Sequence, residues 1–471
     1  MTAELTYASA GELVARMARK EVSAREVLQA HLARIDEVNG EINAIVTLVP
    51  DVAEAMARRA DDAIAEGHVL GPLHGIPMAH KDNHVTAGIR TTFGSRSRAD
   101  FVPDVTDLTV SRLQEAGCVT VGKTNIPEFV AGGNTFNDVF GPTRNPYDLS
   151  ATAGGSSGGA AAALASGMQP LADGNDFGGS LRLPAGYCNV IGLRSSAGRV
   201  PVWPAADGLV GLSVHGPMAR TVDDIALMMS VIAGPSRLAP NSLDAPGSIF
   251  TAALPEDGLA GKKVAFSVDL GGGIAVEPDI AALVQSAAQS CADAGAEVVE
   301  DCPDFSGAAE AFRVLRAWAF EAGMGAHLDE HRDSVRASLY DNMLAGRTLT
   351  GPQVGAAALM RTTMYHRMRE FLERYDTLLL PVAPLAAFPV EQEYPTEVAG
   401  VPQPDYLGWM ESAYDVTLSG HPAIAMPAGF TPSGTPAGVQ FVGRHRDEVG
   451  LLGLAKGFEA VTNYAQRHPS L

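Results

Sequence analysis

The chain has 471 residues, 46% of them hydrophobic, and its 34 Lys and Arg against 54 Asp and Glu give it a formal net charge of −20. This composition is typical of a globular protein with a sizeable core, and the acidity argues against nucleic acid or an anionic membrane as a direct partner. Four scattered cysteines without zinc-ligand spacing, and no apolar run long enough to cross a bilayer, predict a cytoplasmic protein without a structural metal.

The sequence pattern over about 1–67 predicts a helical N-terminal arm. Ser9-x-x-Glu12 and Ser23-x-x-Glu26 both fit the capping-box pattern that opens a helix, and an alanine-rich third helix is expected over 52–66. Apolar residues share one face in each of the first two helices. Because such faces can pair with a second copy of the chain, we predict a homodimer.

The rest of the chain follows an α/β pattern, in which short apolar strands alternate with helices and glycine-rich turns. Strands are predicted over 262–268, 296–300 and 377–382, and helices over 279–292, 305–375 and 449–461. No long linker interrupts the pattern, so we predict one domain over 1–471. Its parts are the arm (about 1–67), a core (about 71–234), a variable and mostly helical region (about 235–375) and a C-terminal part of the core (about 376–471).

The stretch GCVTVGKT, residues 117–124, matches the phosphate-loop pattern G-x-x-x-x-G-K-[ST]. A phosphate loop follows a strand and opens a helix, so that helix N–H groups face the phosphate. Here the helical VSRLQEAG comes first, the β-branched CVTV follows, and Pro127 opposes a further helix. The order is the reverse of what phosphate binding needs, and we interpret the match as coincidence.

A second pattern, G-x-S-x-G over residues 155–159, fits the nucleophile elbow with Ser157 as the nucleophile. The elbow needs a preceding strand, whereas PYDLSATAG looks like a turn. Several histidines follow Ser157 along the chain, so residue counts alone leave this alternative open.

Three segments together indicate acyl-transfer chemistry: GPLHGIPMAHKDN (71–83), GGSSGG (154–159) and DFGGSLRLPA (176–185). Of the six lysines, Lys81 is the best candidate for burial because it follows an apolar strand. Burial makes a lysine neutral and hence a base, and a serine beside such a base becomes a nucleophile. The glycines before Ser180 allow backbone N–H groups to converge on an oxyanion. Each segment alone also has an ordinary structural interpretation. The Lys-Asp step fits a surface ion pair, GGSSGG fits a flexible turn, and GGS before an apolar segment fits the start of a helix or strand.

With VGKTNIPEF, FGPTRNP, GPMARTVDDIA and PAIAMPAGF…GVQFVGR, these segments resemble the amidase signature family over nearly the whole chain. The resemblance implies a large mixed central β-sheet covered by helices. It also implies a Ser–cisSer–Lys triad, with Ser180 as nucleophile, Ser156 as bridging serine after a cis peptide bond from Gly155, and Lys81 as base. Ser157 then has a supporting role.

The same resemblance implies the remaining parts of the site. The N–H groups of Phe177, Gly178, Gly179 and Ser180 would surround the oxyanion, Asp176 and Arg182 would brace the loop, and Val130, Gly132 and Gly133 would line the substrate pocket. No cofactor or metal is needed. The family commonly has a small or β-branched residue where this chain has Phe177, so the choice between aryl, aliphatic and peptide amides, or aryl esters and carbamates, stays open.

The resemblance implies a stand-alone amidase that forms an acyl-enzyme on Ser180. An alternative is the glutaminase subunit of a tRNA-dependent amidotransferase, in which Asp415 would bind glutamine and partner subunits would be required. A catalytically inactive binding protein is disfavoured because all three triad positions are filled, and a nucleotide-binding protein remains the fourth candidate.

Overall fold

The computed structural model describes residues 2–471. Its helices in that range are α1 (Thr2–Tyr7), α2 (Ala10–Ala18), α3 (Ala24–Ile42), α4 (Pro50–Ala65), α5 (Leu108–Glu115), α6 (Gly158–Ala165), α7 (Arg182–Tyr187), α8 (Val222–Ile232), α9 (Pro278–Asp293), α10 (Ala308–Glu330), α11 (Ala337–Arg347), α12 (Gly351–Arg374), α13 (Glu411–Ser419) and α14 (Glu448–Thr462). Its strands are β1 (Ile45–Leu48), β2 (Pro77–Lys81), β3 (Val119–Thr124), β4 (Arg144–Asn145), β5 (Asp148–Thr152), β6 (Leu171–Asp176), β7 (Ile191–Arg194), β8 (Val214–Ala219), β9 (Lys263–Phe266), β10 (Glu297–Glu300), β11 (Thr377–Pro381), β12 (Glu397–Val398), β13 (Val401–Pro402), β14 (Ala423–Phe430) and β15 (Pro436–Val442).

The fold is a mixed α/β architecture around an eight-stranded sheet, in the order β10-β9-β11-β15-β14-β7-β8-β6. The first three of these strands are parallel, and every later neighbour pair is antiparallel. Helices cover the sheet. One of them, α6, is buried on all sides, which suits its uniformly small and apolar sequence. The predicted mixed sheet with covering helices is therefore confirmed.

A second sheet, in the order β1-β3-β2, places β2 beside β6 of the large sheet. Side chains of β6 and of the segment just before it accept backbone N–H groups of β2. The Ala79 N–H donates to Gln169 Oε1 at 2.8 Å, and the Lys81 N–H donates to Asp173 Oδ1 at 2.8 Å. These bonds fix the strand that ends at Lys81 against the strand that leads to the Ser180 loop.

The N-terminal arm packs on the rest of the chain through its apolar faces. Leu13, Met17, Val27 and Leu28 are all buried within the single chain. These apolar faces pack against other parts of the same chain. They are therefore not available to pair with a second copy, which was the reason for predicting a homodimer. No helix in the described part of the chain is both long enough and apolar enough to cross a membrane.

Most of the predicted elements are present within a few residues. The strands predicted over 262–268, 296–300 and 377–382 correspond to β9, β10 and β11, and the helical stretch over 305–375 divides into α10, α11 and α12. GCVTVGKT contains β3, which follows helix α5, and this confirms the helix–strand order that argues against a phosphate loop.

Two local expectations differ from the structure. Ser23 forms a complete capping box with Glu26, whereas Ser9 only accepts the Glu12 N–H and receives no bond in return. The residues before Ser157 contain β5 and are not merely a turn. This strand was missed because its sequence, DLSAT, is polar, and because its partners are the short β4 and an isolated bridge to Pro389, far along the chain.

Candidate active site

Lys81 ends strand β2 and is completely buried. Its Nζ lies 2.9 Å from Ser156 Oγ and 2.8 Å from Ser157 Oγ, and the Asn175 carbonyl oxygen is 3.5 Å away. All three partners are neutral oxygens. The structure thus brings together the three side chains that the sequence analysis assigned to the base, the bridging serine and the supporting serine.

The environment of Lys81 favours the neutral amine. Burial lowers the pKa of Lys81 to about 7, although the carboxylates of Asp176 and Asp173 oppose this change. A neutral amine has two N–H donors and one lone pair. When the N–H groups donate to Ser157 Oγ and the Asn175 carbonyl oxygen, the lone pair is left to accept the Ser156 hydroxyl, which is the geometry that a base requires.

The two serines occupy the turn between β5 and α6, and the Gly155–Ser156 peptide bond is cis. The Ser157 N–H donates to the Ser180 carbonyl oxygen at 3.1 Å, so this turn is tied directly to the loop that carries Ser180. Ser157 Oγ contacts Lys81 and, among the described residues, no histidine. This arrangement does not support the nucleophile elbow, which would require a histidine beside Ser157.

Ser180 lies in the loop between β6 and α7, where it is 7% exposed. Asp176 organises this loop: its carboxylate accepts the Gly179 N–H at 2.9 Å and the Leu181 N–H at 3.3 Å. Gly179 has a φ of +107°, a conformation that residues with a Cβ disfavour. The glycine before Ser180 is therefore needed for the shape of the loop.

Three of the four N–H groups predicted to bind the oxyanion have no hydrogen-bond acceptor among the described residues. Within the described chain, no hydrogen bond engages the N–H groups of Phe177, Gly178 or Ser180. The Gly179 N–H, in contrast, is already bound to Asp176. In this structure the loop therefore offers three free N–H groups beside Ser180.

Asp176 and Arg182, the predicted brace, form a completely buried ion pair. Arg182 Nε lies 3.0 Å from Asp176 Oδ2, and the same guanidinium donates to Gln440 Oε1 on β15 at 2.6 Å and to Thr417 Oγ1 on α13 at 2.8 Å. Arg194 also donates to the Asp176 carbonyl oxygen. Burial alone would raise the pKa of Asp176, but the guanidinium groups of Arg182 and Arg194 hold it well below its usual value.

A second buried carboxylate, Asp173, was not found by the sequence analysis. It accepts the backbone N–H of Lys81, and its Oδ2 lies 2.5 Å from His80 Nδ1, while its Oδ1 lies 3.2 Å from His84 Nδ1. Burial would raise the pKa of Asp173, but His80 and His84 hold it well below its ordinary value. The sequence did contain a sign of this carboxylate: charged and polar residues interrupt the buried strands PMAHK and LADGND, where they need buried partners.

Among the described residues, the one group with the composition of a metal site is His84, Asp107 and His215, whose ligand atoms all lie within 4.8 Å of one another. The imidazoles of His84 and His215 are stacked, with centroids 4.4 Å apart and planes 24° from parallel. Imidazole lone pairs lie in the ring plane, so two stacked rings cannot direct them at one ion. Tetrahedral metal coordination does not fit this geometry.

Phe177 contributes to an aromatic wall beside the oxyanion loop. Its ring centroid lies 5.9 Å from that of Phe312 and 6.4 Å from that of Phe320, both on α10. The Arg316 guanidinium lies 5.4 Å from the Phe177 ring centroid and 4.2 Å from that of Phe320. The variable helical region thus supplies side chains that contact the loop carrying Ser180.

Two of the three predicted substrate-binding residues, Gly132 and Gly133, border the serine turn. A Cβ at Gly155 would lie 2.9 Å from the Gly132 carbonyl oxygen, and a Cβ at Gly133 would lie 2.3 Å from the Trp409 ring. Val130 has a φ of +55°, unusual for a β-branched residue. Glycine is required at 133 and 155 because backbone and ring approach there without room for a side chain.

Lys123 corrects one expectation. The sequence singled out Lys81 as the best candidate for burial, yet Lys123 is equally buried, and burial lowers its pKa to about 8. Its Nζ donates to Thr86 Oγ1 at 2.7 Å and to the His84 carbonyl oxygen. Lys123 contacts no serine and has a structural position beneath the loop that follows β2.

The fold and the site define a class of protein. The family model described as Amidase matches residues 26–452, and the chain belongs to the amidase signature family. It is accordingly an amide hydrolase of the serine type, and the resemblance noted in the sequence is confirmed.

Individual relatives match the chain over nearly its full length. An acylamidase of Rhodococcus erythropolis is 36% identical over 472 residues, covering 99% of this chain and 98% of the relative. One subunit of the glutamyl-tRNA(Gln) amidotransferase of Moorella thermoacetica is 35% identical, with 99% of each covered. The crystal structure of a bacterial aryl acylamidase of the same family superposes with a TM-score of 0.91 at 30% identity, covering 98% and 97% of the two chains. The structure of 6-aminohexanoate cyclic dimer hydrolase does so with a TM-score of 0.87 at 26% identity, covering 99% of each chain.

Proposed function

We propose that this chain is a stand-alone amidase that hydrolyses a carboxylic amide to an acid and an amine through an acyl-enzyme on Ser180. The observation that carries this proposal is the position of the Lys81 amine. It is buried, its pKa is lowered to about 7, and its Nζ lies 2.9 Å from Ser156 Oγ. Similarity to an acylamidase over the whole chain supports the stand-alone reading.

In the proposed mechanism, neutral Lys81 takes the proton of Ser156 while Ser156 takes that of Ser180, and Ser180 Oγ attacks the amide carbon. The free N–H groups of Phe177, Gly178 and Ser180 stabilise the oxyanion. The proton returns through Ser156 to the leaving amine, and the C–N bond breaks. Water then attacks the acyl-enzyme by the same route, releasing the acid and restoring the Ser180 hydroxyl.

We infer that the substrate carries an apolar or aromatic group near the scissile bond. Phe177 supports this inference because its ring is partly exposed beside Ser180, is held by the buried rings of Phe312 and Phe320, and can contact an apolar group of the substrate. The structural likeness to an aryl acylamidase points in the same direction. Aryl esters and carbamates place the same carbonyl beside a better leaving group and belong to the proposed substrate range.

The test is amine release by the purified chain from anilides, aliphatic amides and aryl carbamates, without partner proteins or ATP. We expect turnover of an anilide by the wild type, loss of at least about a thousandfold in Ser180→Ala, and wild-type rates in Ser470→Ala, an exposed serine. Equal turnover in Ser180→Ala would overturn the assignment of the nucleophile.

The second candidate is one component of an amidotransferase, which the 35% identity to the Moorella protein favours. Asp415, the residue considered for glutamine binding, lines a cavity that has no lining contribution from Lys81, Ser156 or Ser180. Ammonia release from glutamine separates the candidates. The stand-alone amidase leaves glutamine intact and turns over anilides, whereas an isolated amidotransferase component turns over neither.

A further inference from the structure

A cavity of about 620 Å³ lies between the loop over 270–273, the segment over 302–310 and the first turns of α13. It is separate from the catalytic centre, because no triad residue lines it. Phe312 and Tyr414 stack on each other, with ring centroids 4.3 Å apart. Neither residue lines the cavity. A Cβ at Gly178 would lie 2.9 Å from Phe312 and 3.5 Å from Tyr414, so these rings contact the catalytic loop.

The charge in this cavity is one-sided. Asp304, Glu310, Glu411 and Asp415 line it, and no Lys, Arg or His does so among the described residues. Asp304 is already paired with Arg367 at 2.9 Å, and Glu310 is exposed. The two remaining carboxyl groups, Glu411 and Asp415, lie one helical turn apart on the same face of α13, where like charges repel.

Asp415 is the decisive residue. It is only 2% exposed, and its Oδ1 has no hydrogen-bond partner. The only cation that acts on Glu411 among the described residues is Arg313, whose guanidinium is already bound to Asp405, and no cation acts on Asp415. Buried carboxyl groups are ordinarily paired with a donor or a cation. Because it has no such partner, burial and the neighbouring Glu411 raise the pKa of Asp415 well above its usual value. A cationic group in the cavity would restore the carboxylate form of Asp415 and supply the missing partner.

The rest of the lining selects the type of cation. Leu270 and Phe305 present apolar surface, and the loop over 271–273 consists of three glycines, so its backbone is uncovered. A volume of about 620 Å³ is far larger than an inorganic ion requires, and it suits an organic group. We propose that this cavity binds a small alkylamine in its ammonium form, with Asp415 and Glu411 accepting its N–H groups and Leu270 and Phe305 contacting its alkyl chain.

The test is calorimetric titration of the full-length protein with n-butylammonium chloride at neutral pH, where the amine is charged. Binding is measured without turnover, so the outcome does not depend on the proposed amidase reaction. We expect saturable binding at one site, weakened about 10- to 100-fold in Asp415→Asn and in Glu411→Gln, because each loses one charged acceptor. The exposed acid Glu300, changed to Gln, is the matched control and leaves binding unchanged.

n-Butanol, which has the alkyl chain without the charge, is the control for the ligand and is expected not to bind. Equal affinity of wild type and Asp415→Asn for n-butylammonium would overturn the proposal, as would binding of n-butanol with the same affinity or no saturable binding by the wild type. Thermal melting confirms that Asp415→Asn is folded. If that variant does not fold, Glu411→Gln at the half-buried partner gives the same comparison.

Discussion

At the scale of single residues, the protonation of Lys81 determines the pH range in which the site can work. Burial lowers the pKa of Lys81 to about 7, so the amine is a base above this pH and an inactive ammonium ion below it. We expect kcat/KM to rise with pH and then level off, with the midpoint of the acid limb at about 7. Steady-state rates from about pH 5 to about pH 9 check this. A midpoint near the ordinary lysine value would contradict the assignment.

Asp173 is expected to position Lys81 and to influence its protonation. Asp173→Asn keeps the shape of the side chain but removes a negative charge that favours the ammonium form of Lys81. The pKa of Lys81 should then fall, and the acid limb of kcat/KM should move to lower pH. A purely structural role would not move this midpoint. The exposed Asp100, changed to Asn, provides the matched control and should leave the profile unchanged.

At the scale of elements, close packing of α6 against the neighbouring loop holds the serine turn in place. A Cβ at Gly158 would lie 2.4 Å from Thr135 Oγ1, an atom that also accepts the Gly158 N–H. Gly158→Ala should therefore destabilise the protein by about 1–3 kcal/mol in urea unfolding. Gly355→Ala on α12, where a Cβ meets nothing within 4 Å, should instead stabilise it by about 0.5–1 kcal/mol. Equal effects of the two changes would contradict this account.

Elements with local signals were predictable from the sequence, and elements held by distant partners were not. The start of α3 was predicted from its capping box, and α9 was predicted within one residue at each end. β6 was missed as an element because LADGND contains two aspartates. The partner of Asp173, the Lys81 N–H, lies 92 residues away along the chain and is invisible to a local pattern. Lys81, Ser156 and Ser180 were identified because they lie in segments that resemble the family's motifs. Asp173 lies in none of these segments and was therefore missed.

At the scale of the whole molecule, a buried carboxylate adds to the apolar contacts that hold the N-terminal arm on the core. Asp224 on α8 accepts the N–H groups of Ala10 at 2.9 Å and Gly11 at 3.0 Å, at the start of α2. Asp224→Ala leaves both groups without a partner and should cost about 1–3 kcal/mol of folding stability, measured by thermal or urea unfolding. Its exposed neighbour Asp223, changed to Ala, should cost less than about 0.5 kcal/mol. Equal losses would show that the arm is held by other contacts.

The anchoring of Arg182 has a consequence for how the protein is made. Lys81, Ser156 and Ser180 all belong to the first 180 residues, but the guanidinium that braces the Ser180 loop is held by Thr417 and Gln440. Ribosomes release the chain from its N-terminus, so every group of the proposed triad emerges long before the anchors do. The strand carrying Gln440 also lies between β11 and β14, inside the central sheet. A nascent chain therefore cannot brace its Ser180 loop before residue 440 has been synthesised, and we expect shorter products to lack amidase activity.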